Sequence, residues 1–162
     1  MKNKLHLIFL FLIGVNLNAQ IQKDTTNYIH FSNFNLELGT SLIYSSAVVN
    51  YETESILKFS NHTLKFNFGG GTWVASIFTT NFGFLVNANL IYLYGTKAHF
   101  FELDLGASAH FSKGTNTEYG FQNVLPNLFL GYRYQGVGEK VMFKAGIGAI
   151  ELFQIGIGYS IQ

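Results

Sequence analysis

The chain has 162 residues, room for one domain, and only 12% of them are charged, where an ordinary soluble domain has about 25%. A net charge of +1 excludes a nucleic-acid partner held by bulk electrostatics. The absence of Cys excludes disulfides, thiolate metal sites, a catalytic thiol and a lipidated N-terminal cysteine, without identifying a compartment.

The N-terminus reads as a targeting segment. MKNKLH carries two lysines, LIFLFLIGV is an unbroken apolar run, and NLNAQ turns polar with a small residue, Ala19, before Gln20. That order of basic, apolar and small-residue regions predicts a secretory signal peptide over residues 1–19. The run is shorter than the roughly 20 apolar residues a transmembrane helix needs, which disfavours an uncleaved anchor. Residues 20–32 are polar and read as a short lead-in, and residues 33–162 as the folded domain.

From residue 34 onward the sequence alternates with period two, the signature of strands with two unlike faces. FNLELGTSLIY puts Phe34, Leu36, Leu38, Thr40, Leu42 and Tyr44 on one face, and AVVNYE follows with Ala47, Val49 and Tyr51 opposite Asn50 and Glu52. The joint between these two strands is expected near Ser45–Ser46. TLKFNFG sets Leu64, Phe66 and Phe68 against Lys65 and Asn67. A longer connection, GGGTWVASIFTTN, is expected next. FGFLVNANLIYLYG alternates less cleanly, because Leu85, Ile91 and Leu93 share the face of Asn87 and Asn89. AHFFELDLGASAHF opposes Phe101, Leu103, Leu105, Ala107, Ala109 and Phe111 to Glu102, Asp104, Gly106, Ser108 and His110. SKGTNTEYG reads as a second long connection. NVLPNLFLGYRYQ contains Pro126, which demands a strand end or a local break. KVMFKAGIGA and FQIGIGYSIQ complete eight strands, with tight turns at GTK (95–97) and QGVGE (135–139). Alternating short and long connections predict an all-β, up-and-down antiparallel barrel.

Two barrels alternate in this way, and the small face distinguishes them. A soluble barrel needs a charged exterior, whereas a membrane barrel turns its apolar face to lipid and its polar face to the lumen. Here the small face is mostly Gly, Ser, Asn and Gln, which suit a cramped interior, while the Phe, Tyr, Leu, Ile and Val of the large face would overfill one. A transmembrane barrel is therefore expected, with the lipid bilayer as its first partner. The small face also carries four acids, Glu37, Glu52, Glu102 and Asp104, and four bases, Lys65, Arg133, Lys140 and Lys144. Such a balanced set is what a packed lumen requires, since buried charges must be paired. Tyr51, Tyr92, Tyr94, Tyr132, Tyr134 and Tyr159 fall near the ends of strands running in one direction, which predicts an aromatic girdle at one membrane interface.

The segments FNLELGTSLIYSSAVVNYE, FGFLVNANLIYLYGTKAHFFELDLGAS, LFLGYRYQ, FKAGIG and FQIGIGYSIQ, with HFFELDLG and LGYRYQ the most specific, resemble small outer-membrane β-barrel proteins of Gram-negative bacteria. The resemblance spans most of the chain beyond residue 33. It implies an eight-stranded barrel of the OmpA/OmpX type, outer-membrane localisation, and insertion by the outer-membrane assembly machinery as a transient partner. Such chains commonly end in a terminal aromatic, and this one ends Tyr159-Ser160-Ile161-Gln162 instead.

For chemistry the sequence offers little. Ser108 and His110 share a face with Glu102 and Asp104, the ingredients of a hydrolase, and a lipid A acyl hydrolase is the enzymatic alternative. The expected register points them into the lumen, away from any acyl chain, and residues two apart on a strand share a face automatically. His62, His99 and His110 lack metal-ligand spacing, and Gly69–Gly71 opens no phosphate loop. No cofactor or metal is expected. A closed eight-stranded barrel is too narrow for a porin-type channel. The reading is a non-enzymatic barrel with a structural or surface-interaction role, whose surface partner the sequence does not name; Trp73, Ile77 and Phe78 in the expected long loop are candidate contacts. A soluble periplasmic ligand-binding barrel is the remaining alternative.

Overall fold

The computed structural model describes residues 32–76, 80–113, 119–136 and 139–161. The signal-peptide assignment, the lead-in up to residue 31, and Ile77 and Phe78 fall outside the described residues. Those residues form nine strands: β1 (Ser32–Thr40), β2 (Tyr44–Glu52), β3 (Leu57–Phe59), β4 (His62–Ser76), β5 (Thr80–Thr96), β6 (His99–Lys113), β7 (Tyr119–Gln135), β8 (Val141–Gly148) and β9 (Phe153–Ile161). All pairings are antiparallel between neighbours in the order β2-β1-β9-β8-β7-β6-β5-β4, and β2 pairs with β4 to close the ring. The result is an eight-stranded up-and-down barrel. β3 is a short extension of β2 that pairs with the first residues of β4 below the barrel.

The pairing register fixes the tilt. Stepping across the wall from Glu102, successive partners are Gly131, Gly146, Gln154, Gly39, Ser46, Trp73, Gly83 and finally Ser112, again on β6. The circuit returns displaced by 112 − 102 = 10 residues. With a rise of about 3.3 Å per residue and about 4.8 Å between strands, ten residues over eight strands tilt the strands by about 40°. Every residue on that circuit points inward, and most are small.

Two glycines show why. A Cβ at Gly71 would lie 2.0 Å from the carbonyl oxygen of Ala47, and one at Gly156 would lie 2.9 Å from Cγ of Lys144. The first lets neighbouring backbones close up in a strongly curved wall; the second leaves room for a lysine stem in the lumen.

The two faces are opposite in kind. Arg133, Lys65, Glu52 and Glu102 are fully buried inside, while Leu105 and Ile155 on the outside are 50% and 59% exposed. The large-residue face of every barrel strand looks outward. The six tyrosines of the expected girdle lie on that outer face toward the end that carries Ser32 and Ile161, here called the lower rim. Phe34 is flanked by Tyr51 and Tyr159, and Phe101 by Tyr94 and Tyr132. Tyr51 donates a hydrogen bond to the Ser32 hydroxyl at 3.0 Å. His62 and His99 join this band through hydrogen bonds with the hydroxyls of Tyr92 and Tyr132.

Several sequence expectations are corrected. The first joint is a turn at residues 41–43, not at Ser45–Ser46, so Leu42 sits in the turn and Tyr44 begins β2 with its ring inside. Gly69–Ser76 is strand, not loop, because its glycines allow the close approach to β2 just described. Trp73 therefore points into the lumen, 8% exposed, rather than out from a surface loop. Lys140 is not a lumen charge. It precedes β8, is exposed, and holds its Nζ 5.9 Å from the centre of the Tyr159 ring. β7 also begins earlier than expected, at Tyr119.

The wall is uneven in height. β1, β2, β8 and β9 have 9, 9, 8 and 9 residues, whereas β4 to β7 have 15 or 17. The β7–β8 ladder ends at the pair Phe129–Gly148, and beyond the Leu128 carbonyl β7 has no ladder partner on its β8 side among the described residues. This accounts for Pro126. The Leu128 carbonyl accepts the Ala149 N–H at 2.9 Å, so by two-residue alternation the main chain of residue 126 also faces that free edge. A proline there forfeits no ladder bond and blocks edge-to-edge pairing.

Candidate functional site

The lumen gathers the buried ionisable side chains, and it has two storeys. The lower is an ion network. Glu102 on β6, Arg133 on β7 and Lys144 on β8 sit side by side because antiparallel pairing brings inward residues of adjacent strands together. Arg133 spans the barrel to β2. Its Nη1 and Nη2 donate to the two carboxylate oxygens of Glu52 at 2.8 and 2.6 Å, while Nε and Nη2 donate to Glu102 at 2.5 and 3.1 Å. This forked geometry uses the guanidinium where a point charge would serve less well.

Glu52 also accepts amide donors from Asn33 at 3.0 Å and Asn35 at 2.7 Å. Lys144 lies 2.6 Å from Glu37, 3.1 Å from Glu102 and 3.5 Å from Asp104, so three carboxylates share one ammonium. Beneath the network Gln135 donates to Asn33 at 3.1 Å and to Ser160 at 2.9 Å. An apolar cluster of Ile91, Leu93 and Phe100 fills the rest of this end. This packing suits the narrow interior of an eight-stranded barrel, which side chains can fill.

The upper storey is different. Val48, Trp73 and Leu85 form a buried cluster against which Tyr44 and Ala75 pack. The Tyr44 and Trp73 rings stack at 6.0 Å, and both contact the His110 ring. The Tyr44 hydroxyl bonds His110 Nε2 at 2.9 Å. Trp73 donates its indole N–H to the Phe84 carbonyl at 3.2 Å. Glu151, in the turn between β8 and β9, is buried and accepts from the Ser46 hydroxyl at 2.7 Å and the Gln154 amide at 2.9 Å.

The sequence-derived lumen charges thus divide. Glu37, Glu52, Glu102, Asp104, Arg133 and Lys144 meet in one network, Lys65 is buried on β4 at the same end, and Lys140 lies outside. Glu151 and Tyr44 escaped sequence reasoning. Both adjoin turns, where the two-residue period breaks and the facing of a side chain is unreadable. Ser108 and His110 are both buried in the upper lumen, where Nε2 of His110 is engaged by Tyr44. Among the described residues no group of three or more His, Cys, Asp or Glu side chains is arranged to hold a metal ion.

A scan of the chain against protein-family models gives no match. A search of curated proteins finds no significant match.

Proposed function

We propose that this chain is an integral outer-membrane β-barrel protein with a structural or surface-interaction role rather than an enzymatic one. The observation that carries the reading is the inverted partition of the barrel. A largely buried ion network lies in the interior, while the exterior carries Phe34, Leu36, Phe66, Leu105, Phe143 and Ile157, each between 44% and 51% exposed. In water such a surface would be a continuous apolar patch far beyond what soluble monomers tolerate; against lipid it is the favoured arrangement. The short strands, at 8–9 residues, are close to the roughly 9–11 that a tilted transmembrane strand needs. The Tyr-rich lower rim suits a membrane–water interface, and under this reading it faces the periplasm, with the long strands β4 to β7 rising toward the cell exterior.

Membrane fractions of cells expressing the full chain test this by gel mobility in SDS with and without boiling. A heat-dependent mobility shift in protein recovered with the outer membrane supports the proposal. Protein released into the soluble periplasmic fraction without detergent contradicts it and favours a soluble barrel.

A further inference from the structure

Above the ion network the lumen is incompletely filled. A narrow cavity leaves about 20 Å³ for water-sized groups between Asp104, Glu151, Asn87, Ser108, Asn127 and Gln154. That is room for about one water-sized group. Its chemistry is one-sided. Asp104 is 4% exposed, and its Oδ1 has no hydrogen-bond partner among the described residues; nor does Oδ1 of Asn87. The other Asp104 oxygen has only a 3.5 Å share of a lysine that Glu37 and Glu102 hold more closely. Glu151 meets neutral donors alone. Across the described lumen five carboxylates (Glu37, Glu52, Glu102, Asp104, Glu151) face three bases (Lys65, Arg133, Lys144), a formal balance of 3 − 5 = −2. Buried negative charge without a counter-charge is strongly unfavourable.

Beside this cavity lies an apolar groove lined by Leu42, Ile43, Tyr44, Ala75, Ile150 and Leu152. It occupies the low side of the wall, where the turns at 41–43 and 149–152 end the short strands. Tyr44 lines both spaces.

We propose that the upper lumen binds a small amphiphilic primary amine, its ammonium in the Asp104–Glu151 cavity and its apolar body along the Leu42–Leu152 groove. An ammonium group is about the size of a water molecule and carries three N–H donors. It supplies donors to Asp104 Oδ1 and Asn87 Oδ1 and sets a positive charge beside the carboxylate that Lys144 holds least closely. A carboxylate amphiphile meets repulsion in the same place, and an alcohol brings no charge. The site rests on lumen geometry and does not depend on which membrane, if any, surrounds the barrel.

Trp73 is the only tryptophan of the chain and stacks on Tyr44, which lines both spaces, so a ligand that contacts Tyr44 is read in Trp73 emission. The experiment titrates n-hexylammonium, n-hexanol and n-hexanoate into the full chain folded in a non-ionic detergent. The expected result is a saturable change in Trp73 emission with hexylammonium at least tenfold tighter than with hexanol, and none with hexanoate. Asp104→Asn and Glu151→Gln each weaken hexylammonium binding about tenfold and leave the hexanol response unchanged. Equal responses to amine and alcohol, which report partitioning into the micelle, overturn the proposal. So does an amine affinity unaltered in both variants. The comparison of the three ligands on the unaltered chain decides the matter if either variant fails to fold.

Discussion

The two storeys of the lumen solve the same problem differently. In the lower, every charge is met by a counter-charge or an amide: Arg133 satisfies Glu52 and Glu102 at once, and Asn33 and Asn35 complete the Glu52 carboxylate. In the upper, aromatic and aliphatic groups replace ions; Asp104, at the boundary between the two, has only the most distant share of Lys144, and Glu151 is met by a hydroxyl and an amide. The lower level is held by ion pairs that cross the lumen, whereas the upper leaves a cavity beside Asp104 Oδ1 and Asn87 Oδ1. The contrast teaches that stability and recognition occupy separate levels of one small barrel.

Removing the keystone of the lower storey gives the largest effect. Arg133→Ala strands two buried carboxylates, and its loss is expected to cost about 3–5 kcal/mol, read as a lower urea midpoint in the heat-modifiable gel band. Retention of the wild-type midpoint would mean that the network contributes nothing. Glu102→Gln is milder, about 1–3 kcal/mol, because Arg133 keeps Glu52 and Lys144 keeps Glu37. Asp104→Asn sharpens the contrast between storeys. Asp104 is the weakest claimant on Lys144, so its neutralisation is expected to leave the midpoint unchanged or raise it, and a loss as large as that of Glu102→Gln would contradict the shared-lysine picture. Tyr44→Phe removes one neutral hydrogen bond to His110, a loss of about 1 kcal/mol, accompanied by a change in Trp73 emission. Lys140→Gln, at the exposed rim, is expected to shift nothing measurable; a clear destabilisation would return Lys140 to the network.

The barrel was legible in the sequence because period two survives in nearly every strand. HFFELDLG alone gives the inward positions of Glu102 and Asp104, and GYRYQ gives that of Arg133. The ion network was legible as a set of residues but not as a set of pairs. That Arg133 crosses the lumen to Glu52 depends on the ten-residue offset around the ring, which no single strand encodes. The failures cluster where the period lapses. Tyr44 continued an apparent alternation across a turn that Ser41, Leu42 and Ile43 make without Gly or Pro. The triple glycine before Trp73 read as a loop, although at Gly71 its physical role is to admit the Ala47 carbonyl. Lys140 kept the period of β8 but lies one residue before the strand begins, beyond the wall that would turn it inward.

Nitroxide accessibility tests the inverted partition of the barrel. The chain has no cysteine, so single-cysteine variants at Leu105 and Ile157 on the outer face, and at Glu139 in the lower turn, each take one label. After reconstitution into phospholipid vesicles, labels at positions 105 and 157 are expected to collide readily with oxygen and poorly with a water-soluble nickel chelate, while the label at 139 shows the reverse. Free access of the nickel chelate to positions 105 and 157 in protein that remains folded would contradict a lipid-facing exterior.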